Sequence, residues 1–224
     1  MLNNIGKEID LLAKYPKPKR DISKRGNSKT PQQQQLARKF GKDFFDGDRA
    51  NGYGGYQYNE RFWINVIPDF INFYNLKDGD KILDIGCGKG FMIYDFKKAN
   101  SKLQVEGIDI SEYAIENAKP EVKDYLKIGD AKKLNYNDNS FDLVISITTI
   151  HNLDLLDCKE SLKEIERVSK RNKFITVDAY SNEKEKEELT NWNLTAKTIK
   201  HVDDWKKFFE EINFKGDFYW FKPL

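Results

Sequence analysis

At 224 residues the chain is long enough for one well-buried domain with an appendage and too short for two full domains. Its composition, 39% hydrophobic, 33% charged and 13% aromatic, is ordinary for a globular protein, and a formal net charge of +2 supplies no field that would gather nucleic acid by charge alone. Two cysteines, Cys87 and Cys158, exclude a disulfide framework and suit a reducing compartment. No apolar stretch reaches the length of a bilayer span. Met1–Asp10 lacks the apolar core of a secretory signal, so the expected location is the cytoplasm, with no membrane partner.

Residues 1–35 read as a basic, partly flexible arm. Between Lys14 and Lys29 there are seven Lys or Arg, two Pro and one acid, Asp21, and four Gln follow Pro31. So charged a segment has no core of its own. It reads either as a solvated tail or as an arm folding over a site to meet an anionic substrate. Residues 36–76 read as a helical, aromatic cap. Leu36, Ala37, Phe40, Phe44 and Phe45 fall at helical spacing, and Phe62, Trp63, Val66, Ile67, Phe70 and Phe73 mark a second helix that Pro68 should interrupt. Between them, residues 46–58 hold four Gly and Tyr53, Tyr56 and Tyr58 but no Val, Leu or Ile.

From residue 77 onward, strand and helix patterns alternate. Strands are expected over Lys81–Ile85, Leu103–Ile110, Tyr125–Ile128, Phe141–Ile147 and Phe174–Asp178. Helices are expected over Phe91–Ala99, Glu112–Ala118 after the cap Ser111, Cys158–Ser169 and Val202–Ile212. That order specifies an α/β fold, Rossmann-like and doubly wound, with a mostly parallel sheet of six to seven strands and a helical N-terminal cap. Ligands of such sheets bind beyond the carboxyl ends of the strands.

Three acids lie where three successive strands end: Asp84, Asp109 and Asp130. After the first comes Gly86-Cys87-Gly88-Lys89-Gly90, spaced Gly-x-Gly-x-Gly rather than the Gly-x-Gly-x-x-Gly of dinucleotide binders. Glycine supplies the turn and the close backbone approach. Asp84, two residues before the first glycine, would repel a pyrophosphate and suits a ligand carrying a positive amino group. Asp109, about 20 residues on, can accept from both hydroxyls of a ribose. Asp130 can reach the exocyclic amine of an adenine.

Residues 81–180 resemble the class I S-adenosylmethionine-dependent methyltransferases. The pieces that carry the resemblance are Ile82–Gly90, Gly107-Ile108-Asp109-Ile110-Ser111, Gly129-Asp130-Ala131 and Ser140–Ser146. It implies S-adenosylmethionine as cofactor and S-adenosylhomocysteine as product. Asp84 and Gly86 would face the methionine moiety, Asp109 the ribose and Asp130 the adenine, with Cys87, Gly88, Ile110 and Ala131 also binding the cofactor and Ile147 closing the methionine side. The flanks, Gly52–Tyr56, His151–Leu153 and Asn191–Thr195, resemble a bacterial small-molecule subgroup associated with surface-polysaccharide or sugar modification. The family ends in a two-strand unit, but only residues 214–224 remain after the last helix here, enough for one good strand or a hairpin turned tightly at Gly216-Asp217.

The acceptor side is sought among other residues. An alcohol acceptor must lose a proton, and His151, four residues past the fourth strand, is the candidate base. Its plain alternative is a polar residue bonding the loop backbone. His201 reads as a helix cap. Tyr53, Tyr56 and Tyr58 in glycine-rich chain suit a closing lid, or simply a packed connection. Arg49 or Arg61 can pair with the methionine carboxylate or with a substrate phosphate. Asp178 and Tyr180 end the fifth strand, and Trp192, Asn193 and Thr195 lie in an insertion before the last helix.

Together these features predict methyl transfer to a hydroxyl of a small polar acceptor, a phosphorylated or nucleotide-linked sugar, by a monomer or homodimer with no metal and no nucleic-acid partner. The alternatives are N-methylation of a small molecule and RNA methylation through the basic arm. A donor-binding protein without turnover would carry the same loop and acids, whereas Asp84 and the glycine spacing disfavour a dehydrogenase.

Overall fold

The computed structural model describes residues 5–17 and 20–223. The first four residues of the expected arm, its positions 18 and 19, and Leu224 lie outside the described residues.

Short helices open the chain: α1 (Ile22–Ser28), α2 (Pro31–Ala37), α3 (Lys42–Phe45) and α4 (Ile67–Phe73). The single helix expected over 36–46 is split, because Phe40 takes a positive φ of 50°. Pro68 sits in the first turn of α4, the one place in a helix where its missing N–H costs nothing, so the break falls before Ile67. The alternating part then runs β1 (Lys81–Ile85), α5 (Phe91–Ala99), β2 (Gln104–Asp109), α6 (Glu112–Glu116), β3 (Leu126–Ile128), β4 (Phe141–Ile147), α7 (Leu155–Val168) and β5 (Ser169–Tyr180). It closes with α8 (Glu183–Trp192), β6 (Lys200–His201), α9 (Val202–Glu211) and β7 (Asp217–Phe221). Ser111 caps α6 by accepting from the Ala114 N–H at 3.0 Å. Asp154 does the same for the Asp157 N–H, which starts α7 three residues earlier than the apolar spacing alone places it.

The strands form one seven-stranded sheet in the order β3-β2-β1-β4-β5-β6, with β7 also paired to β5. All these pairings are parallel. Residues alternate along the strands between two cores. Leu83, Val144, Ile175 and Val177 pack against Leu162 and Ile165 of α7 and Trp205 and Phe209 of α9. Ile82, Leu143, Ile145 and Phe174 pack against Phe70 of α4 and Ile93 and Phe96 of α5. Helices therefore cover both faces, the arrangement a parallel sheet requires. No helix among the described residues is long and apolar enough to cross a membrane.

Two features were left open by the sequence reading. Residues 217–221 form a single strand parallel to β5 and not a hairpin. Beyond β7 runs the N-terminal segment, with the Ile9 N–H donating to Phe218 O at 3.0 Å and the Phe218 N–H to Lys7 O at 2.9 Å. The arm is also docked where it is described, not solvated throughout. Leu11 is buried, and the Arg25 Nε–H of α1 donates to Trp192 O of α8 at 2.8 Å. A segment without a core of its own can still be ordered by borrowing the sheet edge and the face of α8.

Candidate functional site

The sheet's carboxyl edge sets the floor of the site. Register pairs Asp84 with Gly107 and Asp109 with Ile128, so the two acids leave their strands one after the other. Between β1 and α5 the chain turns through Gly86, Gly88 and Gly90, all at positive φ. At Gly86 (φ 83°) a Cβ would come within 2.1 Å of Thr149 Oγ1, so only glycine fits beneath the β4 loop. Asp109 braces this turn, its two oxygens accepting the Gly88 N–H at 2.7 Å and the Ser111 N–H at 2.8 Å. Burial raises the Asp109 carboxyl, and those two bonds oppose the rise. Asp84 is different. It is buried, no hydrogen-bond donor among the described residues meets its carboxylate, and burial followed by the Asp109 charge pushes its pKa up to about 7. A cationic group brought beside it would hold it ionised.

Above this floor lies a cavity of about 1700 Å³, larger than the roughly 300–1,000 Å³ of an ordinary small-molecule site. Asp84, Gly86, Cys87, Gly88, Asp109, Ile110, Asp130, Ala131 and Ile147 all line it. Ile110 is 57% exposed there, an apolar platform beside Asp109. Cys87 is buried and its thiol pushed well up by burial, which leaves it a packing role.

Of the candidates for the acceptor side, Arg49, Tyr53, Tyr56, His151, Asp178 and Trp192 line the same cavity. Tyr58, Arg61 and Tyr180 do not. The Tyr58 hydroxyl donates to Asp95 at 2.8 Å, Arg61 lies over the Phe62 ring, and Tyr180 meets the edge of His201. Tyr56 sits directly on the glycine loop: its Cε1 would be 3.3 Å from a Cβ at Gly88, and its ring stacks on Phe91 and meets the tilted Tyr53 ring 4.4 Å away.

What fastens this aromatic segment was missed in the sequence. Asp46 accepts from the Tyr56 N–H at 2.9 Å, from Lys89 Nζ at 2.6 Å and from the Tyr113 hydroxyl at 2.8 Å. Burial raises the Asp46 carboxyl, but these bonds outweigh it and hold it below the ordinary carboxylate range. The signal was Lys89 itself, because a lysine inside a glycine loop at the sheet edge is buried and needs an acid.

His151 is 3% exposed, in a 3-10 turn after β4. Its Nδ1 accepts the Asp178 backbone N–H at 3.0 Å, and Nε2 faces Asp178 Oδ1 at 3.6 Å. Burial lowers its pKa against the pull of Asp178, so the ring is neutral with its proton on Nε2. In this arrangement neither nitrogen offers a lone pair to an acceptor; the ring ties the β4 loop to the end of β5. The second Asp178 oxygen accepts from Asn193 Nδ2, which extends the tie to the segment after α8.

Comparison with known proteins accords with this geometry. A family model described as a methyltransferase domain matches residues 76–216. The tRNA (carboxymethyluridine(34)-5-O)-methyltransferase of Arabidopsis thaliana is 31% identical over 133 residues, 58% of this chain and 31% of that protein. The demethylmenaquinone methyltransferase of Staphylococcus saprophyticus is 32% identical over 128 residues, 55% of this chain and 52% of that one. The chain thus spans about a third to a half of the length of these curated relatives. Among solved structures, the YcgJ protein of Bacillus subtilis shares the fold, with a TM-score of 0.54 at 18% identity over 65% of this chain and 66% of that one. The match over 76–216, spanning the glycine loop and the ends of β1 to β5, shows that the chain belongs to the methyltransferase-domain family, whose members use S-adenosylmethionine as methyl donor.

Proposed function

We propose that the chain transfers the methyl group of S-adenosylmethionine to a hydroxyl of a small polar acceptor, a sugar in the reading the flanking segments favour. The observation that carries this is a single cavity with an acid-and-glycine floor and an aromatic, basic surround, large enough for donor and acceptor together. In this reading residues 1–35 are an arm and 36–76 a cap on the methyltransferase domain 77–224.

The unpartnered Asp84 carboxylate suits the donor's α-ammonium, and the Gly86–Gly88 backbone admits it closely. Asp109 has lone pairs left for a ribose, Ile110 gives an apolar face, and Asp130 and Ala131 border the place for an adenine. When bound, the donor supplies a methyl group already activated by its sulfonium. The protein's share is then orientation and exclusion of water. Tyr53 and Tyr56, pinned through Asp46 to Lys89, serve as the lid.

His151 enters as a positioning residue, since its Nδ1 is engaged by the Asp178 N–H. It acts as the base only if that bond opens, which frees Nδ1, or if the tautomer also switches, which frees Nε2. The same observation favours a second reading, an amine acceptor, which needs little help with its proton. The test is incubation with isotope-labelled S-adenosylmethionine and a panel of sugars, sugar phosphates and amines, with mass identification of the product. Against the acceptor so found, a His151→Asn chain that loses the acidic limb of the pH–rate profile supports a base, and a lowered rate with unchanged profile supports positioning. No label transferred to any acceptor, with donor binding intact, would contradict methyl transfer.

A further inference from the structure

The arm side of the cavity holds a charge cluster that the donor chemistry does not use. The guanidinium groups of Arg20, Arg25 and Arg49 lie 5.1, 4.8 and 5.6 Å from the centre of the Trp192 ring, and Arg20 is also 5.2 Å from that of Phe221. Stacking on the indole holds three like charges together. Their repulsion is visible: burial, and then Arg49, bring the pKa of Arg25 down to about 10. Burial also lowers that of Arg20, against Tyr15 and with Arg49.

None of the three makes an ion pair among the described residues. The nearby acids are engaged elsewhere. The Asp21 side chain caps α1 on the Lys24 N–H, Glu8 pairs with Lys206 and accepts from Trp220, and Asp10 faces Lys17. A few guanidinium donors go to backbone carbonyls, from Arg25 to Trp192 O and Arg49 O, and from Arg49 to Gly52 O. Each guanidinium carries five N–H donors, so most remain available toward the cavity that all three line.

Unpaired guanidinium groups, Arg20 and Arg25 half-buried and Arg49 exposed, call for an anion, and their forked geometry matches phosphate oxygens. Three forks around one plate suit a group with several oxygens and more than one negative charge better than a lone carboxylate. The cluster does not resemble a strip for tracking RNA. It lines the donor's own cavity, and several neighbouring cations are engaged by the protein, Lys14 by Asp69 and Lys29 by Asn193 O in the arm, and Arg38 of the cap by Thr195 O and Ala196 O.

We propose that Arg20, Arg25 and Arg49, plated on Trp192, form an oxyanion subsite that holds a phosphate or diphosphate group of the acceptor; this rests on the reading of the cavity as a methyl-transfer site. The test is calorimetric titration of inorganic phosphate, pyrophosphate and acetate into the full chain, with and without S-adenosylhomocysteine. It is repeated on an Arg20→Gln/Arg25→Gln chain and on Arg25→Lys, which keeps the charge and loses the fork.

The expected order is pyrophosphate above phosphate above acetate. The double variant should bind pyrophosphate at least tenfold more weakly while its S-adenosylhomocysteine affinity stays within twofold of the original, and Arg25→Lys should lose several-fold. Pyrophosphate affinity equal in all three chains would overturn the subsite. So would a single-stranded RNA that displaces pyrophosphate and binds more tightly, which would assign the cluster to nucleic acid. Arginine-dependent pyrophosphate binding without any S-adenosylhomocysteine binding would sink the methyl-donor reading and leave the subsite standing.

Discussion

The two sides of the cavity carry opposite charge and are held by opposite means. On the donor side, Asp84 and Asp109 end neighbouring strands of a parallel sheet whose register leaves no freedom in where they emerge. On the arm side, Arg20, Arg25 and Arg49 are held by stacking on Trp192 and by bonds to carbonyls of distant segments. The first arrangement follows from strand order, and the second from docking of residues about 140 to 170 positions apart. A sheet edge fixes a cofactor site closely, and an arm laid across it can be changed to suit another substrate without disturbing the floor.

Substitutions that act on one side alone should break this comparison if it is wrong. The largest effect is expected at Gly86→Ala. A Cβ at φ 83° against Thr149 costs on the order of 2–3 kcal/mol. S-adenosylmethionine should bind roughly 30–100-fold more weakly by calorimetry, with pyrophosphate binding untouched. Next comes Asp46→Asn, which leaves Lys89 buried without its carboxylate and loosens the joint between cap and glycine loop. Because Asp46 is partly open to solvent, about 2 kcal/mol of stability should be lost rather than the 3–5 of a fully buried pair, as read from urea unfolding. S-adenosylhomocysteine should also dissociate faster in stopped flow. The smallest effect is expected at Tyr58→Phe, which removes one hydrogen bond to Asp95 outside both walls. It should cost about 1 kcal/mol of stability and change neither affinity.

The comparison also explains what could be read from the chain. The order of strands, the glycine turn and the acids at 84, 109 and 130 are local signals, each set by residues within a few positions of it. Ser111 as a cap is of the same kind. By contrast, nothing near Arg20 or Arg25 says that Trp192 lies beside them, and the plain reading of the arm was a solvated tail. Tyr58 and Arg61 were grouped with Tyr53 and Tyr56 by proximity in sequence, yet the Tyr58 hydroxyl is taken up by Asp95 and the Arg61 guanidinium lies over Phe62, outside the cavity. The strand at 217–221 was foreseen, but its parallel course and its pairing with Lys7–Ile9 depend on contacts across the whole chain. For His151 the position was legible and the bond from the Asp178 N–H was not.

Recognition of a positively charged donor by the unpartnered Asp84 carboxylate makes donor binding follow the titration of that group. With its pKa pushed up to about 7, Asp84 is largely neutral at pH 6 and largely ionised at pH 8. Only the ionised form attracts the donor's ammonium, which itself begins to release its proton near pH 8, so S-adenosylmethionine affinity should rise about fivefold between pH 6 and pH 7.5 in the unmodified chain. It should stay flat and weak in Asp84→Asn. The same titration acts on stability with the opposite sign. The folded chain keeps a proton that the unfolded chain releases, so the ligand-free protein loses stability as pH rises from near 4 to about 7. Asp84→Asn should therefore melt higher than the unmodified chain at pH 8. Affinity independent of pH and equal in the two chains, or NAD bound as tightly as S-adenosylmethionine, would contradict the account.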